Sequence, residues 1–334
     1  MTSASPPPAV DPHRPSTRDL RTVVLIPCHN EERTIASVVR KFSQQIPTAA
    51  IYVFDNNSTD RTAAEAARAG AVVRCEQRQG KGFVVQSMFR KIDADVYVLV
   101  DGDDTYPAHA VAQLLAPVFA GEADMVIGSR LHDGSASQFR RVNRFGNRLF
   151  AALLTLMFGV RITDLLSGYR AFSRRFVRSV PLIGGGFDTE AEMTIKALQR
   201  GLTVVEVPID LAPRPSGSHS KIRLTQDGLL ILAMMLTLLR DYKPLTFFGS
   251  LGLALTLTGL VPGAVAVSDY LATGTLSRLA AALLAAVLLL SGMAMGFLGL
   301  ILHTIARRFQ ELDLQLQALA DEPRAQADPG RTTG

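Results

Sequence analysis

Two stretches in the last third of the chain carry no charged residue, Leu245 to Val267 and Leu279 to Leu302. Each exceeds the roughly 20 residues, at about 1.5 Å per residue, that a helix needs to cross a hydrocarbon core of about 30 Å. Helices of a soluble core seldom stay apolar on every side for such a length, so both read as membrane spans. Arg240 and Lys243 precede the first and Arg307 and Arg308 follow the second, whereas the link Ser268 to Arg278 holds one Asp and one Arg. That asymmetry puts the link outside and everything before Arg240 in the cytoplasm, together with the tail.

The hairpin sets the segmentation expected of the rest. Residues 1–20 are Pro/Ser-rich and polar and read as a disordered tail, not a signal peptide. Residues 21–224 are read as the folded domain and 225–243 as an interfacial helix. The apolar run Leu229 to Leu239 is too short to span but suits the bilayer surface. The hairpin then occupies 244–306 and a cytoplasmic tail 307–334. Gly259 with Gly263, and Gly292 with Gly296, have the small-xxx-small spacing that lets membrane helices approach; ordinary tolerance of glycine in such helices explains them equally well.

Within the folded domain, β-rich runs alternate with helical ones. Strands are predicted at Thr22–Pro27, Ile51–Asp55, Ala71–Cys75, Val96–Asp101 and Met125–Gly128. Helices are predicted at Glu31–Gln45, Thr62–Ala69, Lys81–Lys91 and Ala108–Phe119. This alternation predicts a parallel sheet covered on both faces. After Gly128 comes an Arg/Gly-rich loop to Arg148, then Leu149–Phe158, read as a core helix or a helix on the bilayer. Asp164 to Arg170 reads as a loop leading into a strand, Thr189–Arg200 as a helix and Val204–Pro208 as a strand.

Asp101-Gly102-Asp103-Asp104-Thr105 follows the apolar run Val96–Val100, which sets carboxylates at the C-terminal end of a buried strand, where ligands of open α/β sheets collect. Their hard oxygens suit Mg²⁺ or Mn²⁺. An Asp-rich turn capping the next helix through Asp104 or Thr105 is the competing explanation. The net charge of +5 is concentrated around residues 130–178, which favours a local anionic ligand over a general polyanion. No nucleic-acid-binding motif accompanies it. Cys28 and Cys75 fall in the cytoplasmic part and are expected to be free thiols.

Four elements stand in order at or beyond strand ends: Pro27-Cys28-His29-Asn30-Glu31, Asp55 to Asp60, Gly80-Lys81-Gly82 and Asp101-x-Asp103. Together they resemble the family 2 glycosyltransferases of GT-A fold. Three further features narrow the resemblance to the polyprenyl-phosphate hexosyltransferases, the dolichol-phosphate mannose synthase-like group: Asp164 to Arg170, the segment holding Arg214, Gly217 and Lys221, and the C-terminal hairpin. The resemblance implies a Rossmann-like, mostly parallel α/β domain in the cytoplasm joined to a two-helix transmembrane hairpin.

It also implies roles. Asp55 would bond the nucleotide base, Pro27, Asn30 and Glu31 would hold base and ribose, and Asp101 and Asp103 would hold the metal. Lys81 between glycines would approach the diphosphate of a UDP- or GDP-linked sugar. Arg130, with Arg140, Arg141 and Arg144, matches a loop that clamps the lipid phosphate, for which a forked guanidinium is well suited. A basic stripe against anionic headgroups explains the same residues. Arg214, Ser218 and Lys221 are ligands for acceptor phosphate or diphosphate, or a juxtamembrane positive-inside signal. Asp188 and Glu190 orient sugar hydroxyls or complement a helix N-terminus. The sequence departs from the family pattern at Asp55-Asn56-Asn57-Ser58, where a second Asp and a Gly are usual. It departs again at Thr105, where a Gln often completes the metal shell; a water or Asp104 is then needed.

The implied reaction is inverting transfer of one hexose or N-acetylhexosamine from a nucleotide sugar to a polyprenyl phosphate, with a divalent metal and with the membrane as partner. The oligomeric state is open, a homo-oligomer included. A processive synthase of this family would carry Q-x-x-R-W, and the chain has no Trp. A nucleotidyltransferase would need a Gly-rich phosphate loop where Pro27–Glu31 stands. A catalytically inactive scaffold, or a subunit serving another transferase or a flippase, is the non-enzymatic alternative.

Overall fold

The computed structural model describes residues 20–130, 155, 159–160, 162–182, 189–210, 236–237, 239–275 and 277–321. The chain divides into two compact units, residues 1–222 and 223–334. Arg140, Arg141, Arg144, Asp188, Arg214, Ser218 and Lys221 lie outside the described residues, as do most of Leu149–Phe158 and Leu229–Leu239.

In the first unit seven strands form one sheet: β1 (Thr22–Cys28), β2 (Ala50–Asp55), β3 (Val72–Cys75), β4 (Val96–Leu99), β5 (Met125–Ser129), β6 (Arg170–Ser173) and β7 (Val204–Pro208). Their order is β3-β2-β1-β4-β6-β5-β7. All seven residues of β1 are buried. A strand buried on both faces has no use for alternation, which is why its sequence is an unbroken apolar run. Among the described residues the unit also holds helices α1 (Ile35–Gln45), α2 (Thr62–Arg68), α3 (Lys81–Lys91), α4 (Val111–Phe119), α5 (Arg174–Ser179) and α6 (Thr189–Gln199). On α1 the buried residues Ile35, Val38, Val39 and Phe42 recur at i, i+3, i+4 and i+7, so one stripe faces the core.

Strands β1 to β4 pair in parallel, as do β5 and β7, but β6 runs antiparallel to both β4 and β5. The mostly parallel GT-A sheet is therefore as expected, with one strand reversed near its centre. The reversal has a local cause: β6 is entered from the loop ending at Tyr169, which already lies at the carboxyl edge, since Gly128 donates to the Tyr169 carbonyl at 2.9 Å. A strand that starts at that edge has to run back. The predicted helix from Glu31 begins instead at Ile35, and the predicted strand to Asp101 ends at Leu99, leaving the Glu31 and Asp101 loops free of regular structure. Strand order reverses direction between β1 and β4, and the crevice beyond their carboxyl ends is where the polar loops converge.

The second unit holds α7 (Pro244–Thr273) and α8 (Leu279–Asp321). Both are long and apolar enough to cross a membrane, and of their most apolar stretches only 11% and 17% is buried. A helix pair from a soluble core would bury far more. The two helices meet where side chains are missing. A Cβ added at Gly252 would lie 2.6 Å from the Gly292 carbonyl, and one at Gly259 would lie 2.9 Å from Leu288 Cβ. A Cβ on Gly296 would meet nothing within 4 Å, so the close approach needs a bare Cα at Gly252, Gly259, Gly292 and Gly299 but not at Gly296.

Candidate active site

One side of the crevice is built from β1, β2 and the start of α3. The loop after β1 is zipped to the loop after β2: Asn30, at φ 56°, accepts from Thr59 N at 2.8 Å, and its own N–H donates to Ser58 Oγ at 3.0 Å. Glu31 N donates to Thr62 Oγ1 at 2.8 Å. Pro27 sits in β1 opposite Phe54, one residue short of the edge. At the end of β2, Asp55 Oδ2 accepts from Ser58 N at 3.4 Å, while Asp55 Oδ1 is buried with no hydrogen-bond partner. An unmet buried acceptor costs about 1–3 kcal/mol, a cost that an arriving N–H donor offsets.

Asn56 explains one departure from the family pattern. Its amide donates to the carbonyls of Glu76 and Arg78, both at 2.8 Å, and its Oδ1 accepts from Gly80 N at 2.8 Å. The amide offers two N–H donors and an acceptor, whereas an ionised aspartate only accepts and could not hold this loop in the same way. The staple fixes Gly80, at φ 130°, and with it the first residue of α3, Lys81. A lysine at a helix N-terminus opposes the macrodipole, so helix stability does not account for it. Its position is accounted for by what it reaches: Lys81 Nζ lies 2.6 Å from Asp101 Oδ1 and 2.5 Å from Glu190 Oε1. Burial alone would lower the ammonium pKa, but the Asp101 and Glu190 carboxylates outweigh it and hold it well above the lysine value. Glu190 in turn would be raised by burial, and the Lys81 charge brings it below the ordinary carboxylate value.

The three aspartates after β4 have separate fates. Asp101 faces Lys81. Asp103 Oδ1 accepts from Thr105 Oγ1 at 2.6 Å and Thr105 N at 3.3 Å, so Thr105 orients Asp103. Asp104, at φ 58°, turns to α1 and binds Lys41 Nζ at 2.7 Å and Ser37 Oγ at 2.9 Å. None of the three caps the helix that follows, whose opening 3-10 turn, Ala108–Ala110, begins after Pro107.

On the far side of Asp101 stands Arg130, just past β5. Its Nε and Nη2 donate to the two oxygens of Asp164 at 2.7 and 2.8 Å, and its backbone N–H to Asp164 Oδ2 at 2.9 Å. Asp164 is fully buried. It is held from behind by Glu206, which accepts from Thr163 N at 2.9 Å and Asp164 N at 2.8 Å. Burial would lower the Arg130 pKa, but Tyr106 and Asp164 raise it well above arginine's usual value. The Tyr106 hydroxyl accepts from Arg130 Nη1 at 3.4 Å and from Gly168 N at 2.9 Å. A Cβ on Gly168 would strike Asp101 Oδ2. Asp101, Gly168, Tyr106, Arg130 and Asp164 therefore form one connected cluster.

The structure thus brings Lys81, Asp101 and Arg130 to one rim and places Asp55, Asn30 and Glu31 along the neighbouring loops. Reading the sequence by motif passes over Tyr106, the partnering of Asp164 with Arg130, and the staple at Asn56. Gly168 and Asp164 stand in a loop the motifs flag, but nothing local marks their partners. A divalent cation fits the chemistry of the donor set, since Asp101 and Asp103 offer hard oxygens. Among the described residues no group of three or more His, Cys, Asp and Glu could hold a metal ion. The remaining ligands would be water and substrate phosphate, the manner in which Mg²⁺ is usually bound.

Comparison with known proteins places this geometry. The profile of glycosyl transferase family 2 matches residues 23–180. The chain is 36% identical over 238 residues to glycosyltransferase AglJ of Haloferax volcanii, covering 71% of this chain and 78% of that protein. To the dolichyl-phosphate hexose transferase of the same organism it is 32% identical over 191 residues, covering 57% of this chain and 82% of that one. Glucosyl-3-phosphoglycerate synthase from Mycobacterium tuberculosis, in complex with Mn²⁺, UDP-glucose and phosphoglyceric acid, superimposes with a TM-score of 0.55 at 26% identity, covering 66% of this chain and 79% of that one. The sheet is that of a GT-A transferase. The chain belongs to glycosyl transferase family 2.

Proposed function

We propose that the protein moves one hexose or N-acetylhexosamine, with inversion, from a UDP- or GDP-linked sugar to a polyprenyl phosphate at the cytoplasmic face of a membrane. The observation that carries this reading is the continuity of the rim: Gly168 touches Asp101 and donates to Tyr106, whose hydroxyl bonds Arg130. A carboxylate suited to a metal and a cation suited to an acceptor phosphate thereby border the same crevice. The Asp55 oxygen without a partner supports a nucleobase N–H as ligand. The names of the relatives, a dolichyl-phosphate hexose transferase among them, support a lipid carrier as acceptor. The α7–α8 hairpin supplies the membrane attachment, and the proposed division of the chain is a catalytic domain over residues 21–224, an interfacial segment over 225–243 and a hairpin over 244–306.

The chemistry asks little of a base. A phosphate monoester has its second pKa near ~6 and is mostly dianionic at neutral pH, so its oxygen attacks the anomeric carbon without losing a proton first. Charge develops instead on the departing nucleoside diphosphate, where the Lys81 ammonium and the N–H groups opening α3 are placed to stabilise it. Asp101 and Asp103 would hold a Mg²⁺ or Mn²⁺ ion, which when bound supplies Lewis-acid neutralisation of the diphosphate. Arg130, with its fork fixed by Asp164, binds and orients the acceptor phosphate.

The test is incubation of the full-length protein in detergent with undecaprenyl phosphate, Mn²⁺ or Mg²⁺, and UDP-glucose, UDP-GlcNAc or GDP-mannose in turn. The expected product is a single sugar on a chloroform-soluble lipid, abolished by EDTA and by Asp103→Ala. Polymer, free sugar alone, or full activity of Asp103→Ala would overturn the reading.

A further inference from the structure

Lys81 sits between two carboxylates with different surroundings. Asp101 is beyond β4 on the loop that also carries Asp103, whereas Glu190 is buried in the first turn of α6. One ammonium bridges two anions, at 2.6 and 2.5 Å, so it depends on neither alone. Asp101 Oδ1 accepts from Lys81, and Asp101 Oδ2 is packed against Gly168. The ammonium therefore occupies the oxygen that a divalent cation would need. Glu190 offers no such conflict. It is tied to α6 and would keep hold of Lys81 if Asp101 let go.

We infer that Lys81 is a built-in counter-ion that competes with the divalent cation for Asp101, and that Glu190 is the positioning residue that retains the lysine when a nucleotide diphosphate draws it off Asp101. The inference rests on the reading of the rim as a metal and nucleotide-sugar site. Its consequence is an order of events. Without nucleotide, Asp101 is neutralised from within and takes up metal weakly. With a diphosphate in the crevice, Lys81 turns from Asp101 to phosphate oxygens while still anchored by Glu190, and Asp101 is freed. Metal and donor then enter together, and the protein avoids holding a bare cation that would bind stray phosphates.

The test uses the full-length protein in detergent and reads free Mn²⁺ by electron paramagnetic resonance, without nucleotide and with UDP or GDP. Lys81→Met removes a competing unit charge 2.6 Å from Asp101 Oδ1, and the partial exposure of both groups weakens their attraction, so nucleotide-free Mn²⁺ binding should tighten by about tenfold. Its added gain on supplying UDP or GDP should shrink. Glu190→Gln should act in the opposite direction, weakening nucleotide-free binding several-fold, because the ammonium then belongs to Asp101 alone. A plain structural ion pair would move both variants the same way. Weakening in both, or no tightening in Lys81→Met, would overturn the inference while leaving the site reading intact. Absence of Mn²⁺ binding by the unmodified protein with both nucleotides would overturn the site reading, and the inference with it.

Discussion

Gly168→Ala isolates the position of Asp101 from its chemistry. A Cβ on residue 168 would strike Asp101 Oδ2 and stand 3.0 Å from Cγ and 3.2 Å from Oδ1 of the same carboxylate. The carboxylate cannot simply slide away, because its other side faces the Lys81 ammonium at 2.6 Å, itself held by Glu190 at 2.5 Å. Relieving the overlap requires a displacement on the order of 1 Å, and a misplacement of that size typically costs about 10² in rate, or about 2.7 kcal/mol of transition-state stabilisation. The backbone N–H that donates to Tyr106 at 2.9 Å is unchanged by the substitution, so the fold bears only the overpacking cost of about 1–3 kcal/mol. The assay is kcat/KM for sugar transfer to undecaprenyl phosphate, together with the Mn²⁺ concentration giving half-maximal rate. The expected result is a loss of about a hundredfold with a raised metal requirement in a protein that still melts cooperatively. Near-normal transfer at an unchanged metal requirement would show that the Asp101 carboxylate has no role in transfer that depends on its position.

Asp164→Asn removes the charge facing a guanidinium that is only 20% exposed, and breaking a buried pair costs about 3–5 kcal/mol; taking the low end, because Asn keeps one acceptor, Tm should fall by about 6–12 °C in scanning fluorimetry. A fall of no more than about 2 °C, the least that a single kcal/mol produces in a domain of this size, would mean the pair is not a net support. Glu76 is held at about 2, below its ordinary 4.5, chiefly by the hydrogen bond from Arg78. Its contribution to stability is therefore complete above about 4.5 and is lost as pH falls toward about 2. Glu76→Gln should flatten the fall of Tm across that acid window, and parallel Tm–pH curves for the two proteins would reject the assignment. In the hairpin, Gly292→Ala places a methyl 2.8 Å from the Gly252 carbonyl and against Thr256 Oγ1, whereas Gly296→Ala meets nothing within 4 Å. The first should lower thermal stability in detergent by about 1–3 kcal/mol and the second should not, and equal effects would place the helix contact elsewhere.

The order and type of most elements could be read from the chain because they depend on neighbours in sequence. Lys81–Lys91 reads from the sequence as a helix and Val204–Pro208 as a strand, and the observed limits coincide. Reversed β6 escaped such reading, since direction in a sheet depends on which edge a loop has reached, and Gly128 and Tyr169, which set that edge, are far apart in sequence. The rim shows the same division. Asp101, Asp103, Lys81 and Arg130 could be named as candidates from residue type and place. Their partners could not, because Lys81 meets Glu190 and Arg130 meets Asp164 only after the sheet has formed. Asn56 is the sharpest case: by motif it is a missing charge, and by structure it is the amide that fastens the loop carrying Lys81.

Beneath both clamps lies one more cation. Arg170, the first residue of β6, is wholly buried, and burial pulls its pKa down to about 10, which still leaves it protonated at neutral pH. Its fork donates to the carbonyls of Ser167 and Leu165 at 2.8 and 2.6 Å and to Thr194 Oγ1 at 2.7 Å. Leu165 and Ser167 flank the loop between Asp164 and Gly168, while Thr194 sits one turn along α6 from Glu190, whose carbonyl accepts its hydroxyl at 3.0 Å. The same guanidinium thus fixes the loop that holds Arg130 and abuts Asp101, and the helix that holds Lys81. A planar fork with several fixed donors is well suited to serve three such acceptors at once. The cost of burying its charge is offset by these oriented dipoles together with the nearby Glu190 and Asp164 carboxylates, and the bonds hold the loop and the helix in register. The two sides of the crevice are consequently not independent: the position of Lys81 is tied, through Arg170, to the position of Arg130.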